Sequence, residues 1–537
     1  MSQSGANLVD LPNEILVIIF KKLDNINVLH SLFSVINERF DSVLEGNHFT
    51  NTLNLVSISS TDDDICSLDD SILDRFCINI LPKIHHNVKH LTLESMSMGR
   101  ILCAGTYPNL TSLKLFNFEQ AIVLCYCKDE SIFRHIFQDQ ITELILQNND
   151  NNSHERLLKD YTETVYVFIL SFFKNLNHLS IIESSITDYP PVSISHSPST
   201  AFSSEILTKL CIDVFTFDDC LYLLDGRLKQ LITFIVRIYH IKNFSSITHK
   251  TNDALSNLKY FSLTCYRETE SYDNRVIPLL RRMTHLEKLT LYLRLKHRST
   301  FVDGTHLHNE ILMHKPRLDT FFFYISTEID IDALVHRLSD NDIQQTFINI
   351  DYHETACTVN YFKSKAICHV FSLPFVFDHL ENITNKFPSM TFDHVTCLTV
   401  TDEIPFNHNF FIRIAKAFPS MKYLCIHNVM SPLCSFGQYK ADNIQLYPVI
   451  EYPNLTSLDI VYVDNYYIEQ FLLDTKTNAP RLTDIEVGYN QLKAVTVNFT
   501  RDATRHNCAN VKRLIFEKRY SDYPNYPKEF SLYFPSL

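Results

Sequence analysis

The chain has 537 residues, of which 45% are hydrophobic and 20% charged, with a net charge of −13. That is the balance of a folded chain too long for one ordinary core, so it is expected to hold several domains or one extended repeat. Only 8 residues are Gly, which disfavours glycine-rich phosphate loops, and the acidic balance argues against a nucleic-acid binder.

The N-terminus lacks a charged segment followed by an apolar run, so no signal peptide is expected. The most apolar stretch, Val165 to Phe173, is far shorter than the ~20 residues of a membrane helix. No membrane segment and a cytoplasmic or nuclear location are therefore expected. The 14 Cys are scattered and read as reduced packing residues. The closest pair, Cys125 and Cys127, has no evident companion ligands, so no metal or other cofactor is expected.

Residues up to about 49 read as compact helix. Asp10 offers a cap, Pro12 suits a first turn, and Glu14 suits the positive helix end. Ile15, Ile19 and Leu23, with Leu16 and Phe20 beside them, form an apolar stripe. Asp24 and Asn25 break it. A second helix carries Val28, Leu29, Leu32 and Val35, and a third carries Phe40, Val43 and Leu44. Three such short helices bury little surface alone and call for a partner.

These residues resemble the F-box. The resemblance rests on Leu11, Pro12, Glu14, Ile15, Leu16, Ile19, Phe20, Leu23, Asp24, Leu29, Leu32, Val35, Phe40 and Leu44. Asn25 replaces the usual Pro, one extra residue precedes the second helix, and Phe40 stands where Trp is usual. The resemblance implies docking onto the S-phase kinase-associated adaptor protein of a cullin-based SCF ubiquitin ligase. The residues it assigns to docking are Leu11, Pro12, Ile15, Leu16, Ile19, Phe20, Leu23 and Leu32.

Residues 50–70 read as a linker and first strand. From 71 to 537 a pattern recurs: apolar, two positions, apolar, one position, apolar. Copies start at Val88, Leu110, Ile141, Leu176, Leu207, Leu258, Leu286 and Leu318, then at Val395, Met421, Leu455, Leu482 and Val511. A weaker copy is expected at Leu228. Two degenerate copies are expected in the long gap, near Phe347–Ile350 and Val370–Leu373. Helical stretches with Ile72 and Phe76, with Phe410 and Ile414, and with Tyr467 and Phe471 precede several copies. Asp70 or Ser71 is expected to cap the first of these. Pro or Asn often stands just before a copy. A helix, a proline stop and a strand at this period predict a β-α repeat.

The pattern resembles the leucine-rich repeat, with longer units and without the usual Asn near the ninth position. It implies an α/β horseshoe solenoid behind the helical F-box. The Ser/Pro-rich segment 184–204 reads as a loop insertion.

No enzyme constellation emerges. His353-Glu354 does not continue into H-E-x-x-H, and no G-x-S-x-G occurs. His306, His308 and His314 read as loop histidines, and Cys368 and His369 point apart on a strand. No catalytic residue is expected. In a solenoid the alternate strand positions form a binding face. That face would carry Thr92, Lys114, Phe116, Ser180, Thr290, Tyr292, Arg294, Phe322, Tyr324, Thr399, His427, Asp459 and Glu486. Its aromatics either stay open or pack beneath a loop. Arg281, Arg282, Lys288, Arg294, Lys296 and Arg298 form a basic cluster suited to an acidic or phosphorylated peptide. The target-binding candidates are Tyr292, Arg294, Lys296, Phe322 and Tyr324. The sequence thus predicts a non-catalytic ligase adaptor that binds an unknown target protein. A repeat scaffold independent of the ligase is the alternative.

Overall fold

The computed structural model describes residues 8–35, 37–58, 65–117, 134, 136–148, 169, 172–183, 191–194, 203–242, 255–334, 336–348, 354–430, 448–516 and 528–537. Cys125, Cys127, most of 165–171 and most of 184–204 lie outside the described residues. Among the described residues no helix is long and apolar enough to cross a membrane. The chain forms two compact units. The first holds Met1–Arg267, Asp273–Leu289 and His314–Leu318; the second holds Glu268–Tyr272, Thr290–Met313 and Asp319–Leu537.

The first unit opens with helices α1 (Asn13–Phe20), α2 (Asn25–Leu32), α3 (Glu38–Leu44) and α4 (Asn47–Thr50). Pro12 takes the extended N-cap of α1, in place of the expected Asp10, which ends a short turn at Leu8–Asp10. Asp24 caps α2: its carboxylate accepts from the Asn27 N–H at 3.2 Å. Asn37 caps α3 the same way. Leu16, Phe20, Phe40 and Phe49 are buried, and the Phe20 ring lies 5.9 Å from Phe40 and 6.3 Å from Phe49. Phe40 therefore fills the core position expected of a larger ring. The boundary expected at residue 49 falls inside α4. Asn25 ties the helices onward, its amide donating to the Thr52 carbonyl at 2.7 Å and the Phe49 carbonyl at 3.3 Å.

Nine strands follow: β1 (Thr52–Ile58), β2 (Ile65–Ser67), β3 (His90–Glu94), β4 (Ser112–Phe116), β5 (Glu143–Asn148), β6 (His178–Glu183), β7 (Lys209–Thr216), β8 (Thr233–His240) and β9 (Tyr260–Thr269). Their order is β2-β1-β3-β4-β5-β6-β7-β8-β9, and every pair from β1 to β9 is parallel except the antiparallel β1–β2 edge. The apolar triplets run in phase. Leu91, Leu113, Leu144, Leu179, Leu210, Phe234 and Phe261 form one register column, and all are buried. The weak copy expected from Leu228 sits three residues later, on Leu231, Phe234 and Val236. Leu228 instead opens the turn that receives the Leu231 N–H.

The second unit contains β10 (Lys288–Leu295, from Thr290 on), β11 (Thr320–Asp330), β12 (Thr355–Tyr361) and β13 (Lys365–Ser372). Strand β13 pairs antiparallel with both β11 and β12. The copy expected near Val370–Leu373 is thus the end of a hairpin strand, not a parallel repeat. Part of the other, at 349 and 350, lies outside the described residues. A separate sheet has the order β14 (His379–Ile383), β15 (Cys397–Thr401), β16 (Tyr423–His427), β18 (Ser457–Ile460), β20 (Asp484–Val487) and β21 (Arg513–Phe516), with β17 (Ile450–Glu451) and β19 (Thr477–Asn478) paired beside it. All its pairings are parallel. Strand β14 hides a repeat copy. Leu380 pairs with Leu398 but Ile383, not Asn382, pairs with Val400. Asn382 has φ +56°, so one extra residue is accommodated as a bulge.

The missing ninth-position Asn is replaced by two other ladders. The Asn just before the first apolar residue donates to the preceding unit's turn: Asn109 to His86, Asn257 to Lys229, Asn454 to Pro419 and Asn510 to Pro480, at 2.6–3.0 Å. The residue just after it sends its N–H to the equivalent carbonyl one unit back, as Thr111 does to Lys89, Thr142 to Thr111 and Thr483 to Thr456. Their hydroxyls donate to the same carbonyls. Backbone groups that would be orphaned at each turn are thereby satisfied. Asn507 is the buried version. It donates to Phe471 and Thr477 carbonyls at 3.0 and 2.8 Å and accepts from the Ala479 N–H at 3.2 Å. Asn507→Ala is expected to cost about 1–3 kcal/mol in denaturant unfolding, because buried groups lose their partner.

Three residues before the first apolar position, a side chain satisfies a helical carbonyl. Tyr107 donates to Ile101 and Tyr452 to Phe411; Lys315, 1% exposed, donates to Leu280. Burial lowers the Lys315 ammonium from 10.5 to about 8. A lysine depressed on folding holds fewer protons folded than unfolded between those values, so stability rises with pH across that window. Lys315→Met is expected to flatten this rise in unfolding midpoints measured from pH 7 to 10.5.

Candidate functional site

The α1 helix divides its apolar residues between two faces. Leu16 and Phe20 are 0% and 1% exposed and belong to the core, while Ile15, Ile18 and Ile19 are 41%, 57% and 36% exposed, and Leu23, three residues past the helix end, is 57% exposed. Pro12 is exposed, and Leu11 and Leu32 are half-buried. The eight residues assigned to docking therefore do not act alike: Leu16 and Phe20 build the helix core, and Pro12, Ile15, Ile19 and Leu23 present a surface. Ile18 belongs with them and was not among the eight. Val9 and Val35 add 38% and 56% exposure nearby in sequence.

This face is held in place from α3. Arg39 donates from Nε to Asn13 Oδ1 at 2.8 Å, from one terminal nitrogen to the Val9 carbonyl at 2.9 Å, and from the other to the Leu11 carbonyl. One guanidinium thus fixes the chain entering α1. Below α2, Arg75 donates to the Phe33 carbonyl at 3.0 Å, and Lys83 reaches Ser34 Oγ at 3.0 Å while lying over the Phe33 ring.

The expected strand face differs more. Tyr292 and Tyr324 are 0% exposed, stacked at 4.6 Å between ring centroids, with Phe377 5.4 Å from Tyr292 and Phe375 5.9 Å from Tyr324. They form a core beneath the segment following the cis Leu373–Pro374 bond, not an open binding surface. Phe322 is half-buried. In the first unit Phe116 is buried under the Lys114 ammonium, 4.6 Å away. Ser180 is buried, Thr92, Thr290, Thr399, Asp459 and Glu486 are half-buried, and His427 is exposed.

The basic cluster is not a free anion receptor. Arg294 pairs with Glu381 and, at 2.9 Å, with Glu268. Burial opposes its charge, but Glu381 leads the groups that outweigh this and hold its pKa above the ordinary value. Burial pushes the Glu381 carboxyl up, against the pull of Arg294. Lys296 lies 3.6 Å from Glu270, and Arg298 lies over the Tyr272 ring at 5.3 Å. Cys368 and His369 point apart as expected: His369 faces the Tyr324 hydroxyl at 2.9 Å, and burial lowers its pKa to about 4. His306 and His308 sit on the helix Gly304–Glu310, not in a loop.

Two groupings were not foreseen. Phe215 stacks on Tyr239 at 5.4 Å, Arg267 covers Tyr239 at 4.1 Å, and His240 abuts the same ring at 4.4 Å. Phe215, Tyr239 and His240 are half-buried and Arg267 is exposed. Burial, then Lys242 and Arg267, lower His240 to about 4, so this aromatic patch holds a neutral imidazole. It was missed because β7, β8 and β9 extend beyond the apolar triplet that marks each strand. The second grouping joins Cys425 and His427 on β16 to Asp459 on β18. Cys-x-His is visible in the sequence, but its third member arrives only through strand register.

No family pattern matches the chain, and no curated protein matches it. Among solved structures, the crystal structure of the Rad7 and Elc1 complex in yeast contains a chain similar over 88% of this one and 92% of its own length. The identity is 12% and the TM-score 0.28, a likeness too slight to carry any argument about binding.

Proposed function

We propose that this chain is a non-catalytic adaptor of a cullin-based SCF ubiquitin ligase. In this reading its N-terminal helices form an F-box, and the parallel strand repeats behind them form a leucine-rich-repeat-like solenoid. The supporting observation is the apolar surface of Ile15, Ile18 and Ile19 on α1 and Leu23 just past its end, four large apolar residues 36–57% exposed. A helix that keeps only Leu16 and Phe20 for its own core has a second apolar face to bury. Partner helices are the natural occupant, and the S-phase kinase-associated adaptor protein is the one the F-box resemblance names.

The target then binds the strand repeats. The half-buried aromatics Phe215 and Tyr239 with the exposed Arg267 supply the residue types that dominate interface hot spots, and they replace Tyr292, Tyr324 and Arg294 in that role. Such an adaptor acts by raising the target's effective concentration near the ligase, in cytoplasm or nucleus, and needs no catalytic group of its own. The test is co-expression of the full chain with the ligase adaptor subunit. A stoichiometric complex that survives size exclusion is the expected result. A folded chain that elutes alone rejects the ligase role.

A further inference from the structure

We propose that Cys425, His427 and Asp459 form a binding site for one zinc-class divalent metal ion. Cys425 and His427 lie two residues apart on β16, on the same side of the strand. Cys425 pairs in register with Asp459 on β18. The Cys425 Sγ is 3.3 Å from His427 Nε2 and 3.3 Å from Asp459 Oδ2, and one ligand atom from each of the three residues falls within 4.8 Å of the others.

The two separations from sulfur are close to those a tetrahedral ion imposes. With metal–sulfur and metal–nitrogen bonds of about 2.3 and about 2.0 Å, sulfur and nitrogen ligands stand roughly 3.5 Å apart. The same holds for sulfur and oxygen. Thiolate, imidazole and carboxylate together suit zinc and its neighbours, and the sulfur disfavours magnesium and calcium.

A thiol donating to a carboxylate accounts for one of these contacts and leaves the approach of His427 to the same sulfur unexplained. As the thiolate binds a divalent ion, the thiol proton is released to solvent.

The surroundings also hold the ligands. Asp459 Oδ1 accepts from the Val461 N–H at 3.2 Å, and Tyr423 donates to Asp459 Oδ2 at 3.3 Å. Such outer contacts fix a ligating carboxylate. Cys425 is buried, Asp459 is half-buried and His427 is exposed, so an ion enters from the His427 side. The fourth position falls to water.

Cobalt(II) is the probe. Titrated into the reduced full-length protein, it is expected to produce one equivalent of thiolate-to-cobalt charge-transfer absorption, which zinc then abolishes. Cys425→Ser should remove the band. Asp459→Asn and His427→Gln should each weaken binding by more than the about 10–100-fold typical of outer-shell changes. His427 is exposed, so its variant keeps the fold, checked by an unchanged urea midpoint. The site is overturned if no band forms, or if the band survives Cys425→Ser and so comes from other thiols. It is equally overturned if affinity is unmoved by both Asp459→Asn and His427→Gln.

Discussion

Arg294→Ala is expected to destabilise the protein by about 3–5 kcal/mol, the range for removing one partner of a buried ion pair. The Arg294 side chain is 13% exposed and Glu381's is 21%. Glu268 completes the set at 2.9 Å and is itself 33% exposed. Without the guanidinium, Glu381 loses the largest of the charges that offset its burial. Arg294→Met with Glu381→Leu should recover most of the loss, because the cost lies in the orphaned charge. The pH dependence has a definite sign. The Glu381 carboxyl is already pushed up by burial, and Arg294 is the main group pulling it down. In Arg294→Ala it rises further. A carboxyl raised on folding binds more protons folded than unfolded, so stability is regained as pH falls. Urea unfolding of Arg294→Ala should therefore show a smaller deficit near pH 5 than at pH 8. A deficit below about 1 kcal/mol, or one that grows in acid, contradicts the buried-pair account.

Ile19→Asp combined with Leu23→Asp is expected to abolish partner binding while leaving the fold intact. Both side chains are exposed in the free chain, at 36% and 57%. Surface changes of this kind usually move stability by about 0.5 kcal/mol or less. At an interface centre each would cost about 2 kcal/mol or more, and every 1.4 kcal/mol is tenfold in affinity. The pair should therefore weaken binding by about 1000-fold. Phe20→Ala serves as the contrast. It leaves a cavity between Phe40 and Phe49 and should cost about 3–5 kcal/mol of stability, losing binding only through loss of fold. Calorimetric binding beside thermal melts separates the two cases.

The strands were legible because the apolar triplet is strict. Every copy named from Val88 to Leu258 and from Val395 to Val511 begins at or just before a parallel strand, those at Leu286 and Leu318 begin just before β10 and β11, and the columns through Leu91 and through Leu398 follow directly. The copy at β14 escaped because the Asn382 bulge stretches its spacing by one residue. The hairpin β12–β13 escaped because β13 is buried on both faces while β12 carries polar residues, and periodicity carries no strand direction. The same two-faced burial hid the fate of Tyr292 and Tyr324, which alternation alone assigns to an outer face. Arg294 read as a free cation because its partners Glu268 and Glu381 are 26 and 87 positions away. On α1 the sequence marked the apolar stripe but not which half faces outward. That depends on where Phe40 and Phe49 pack.

The most direct measurement is backbone hydrogen exchange of the full-length chain, alone and with the purified ligase adaptor subunit. The account predicts added protection concentrated in residues 9–23 and around 32–35, with β3 to β9 unchanged. Protection absent there, or found only on the strand repeats, contradicts docking through the α1 face and returns the chain to a scaffold that binds partners by its sheets.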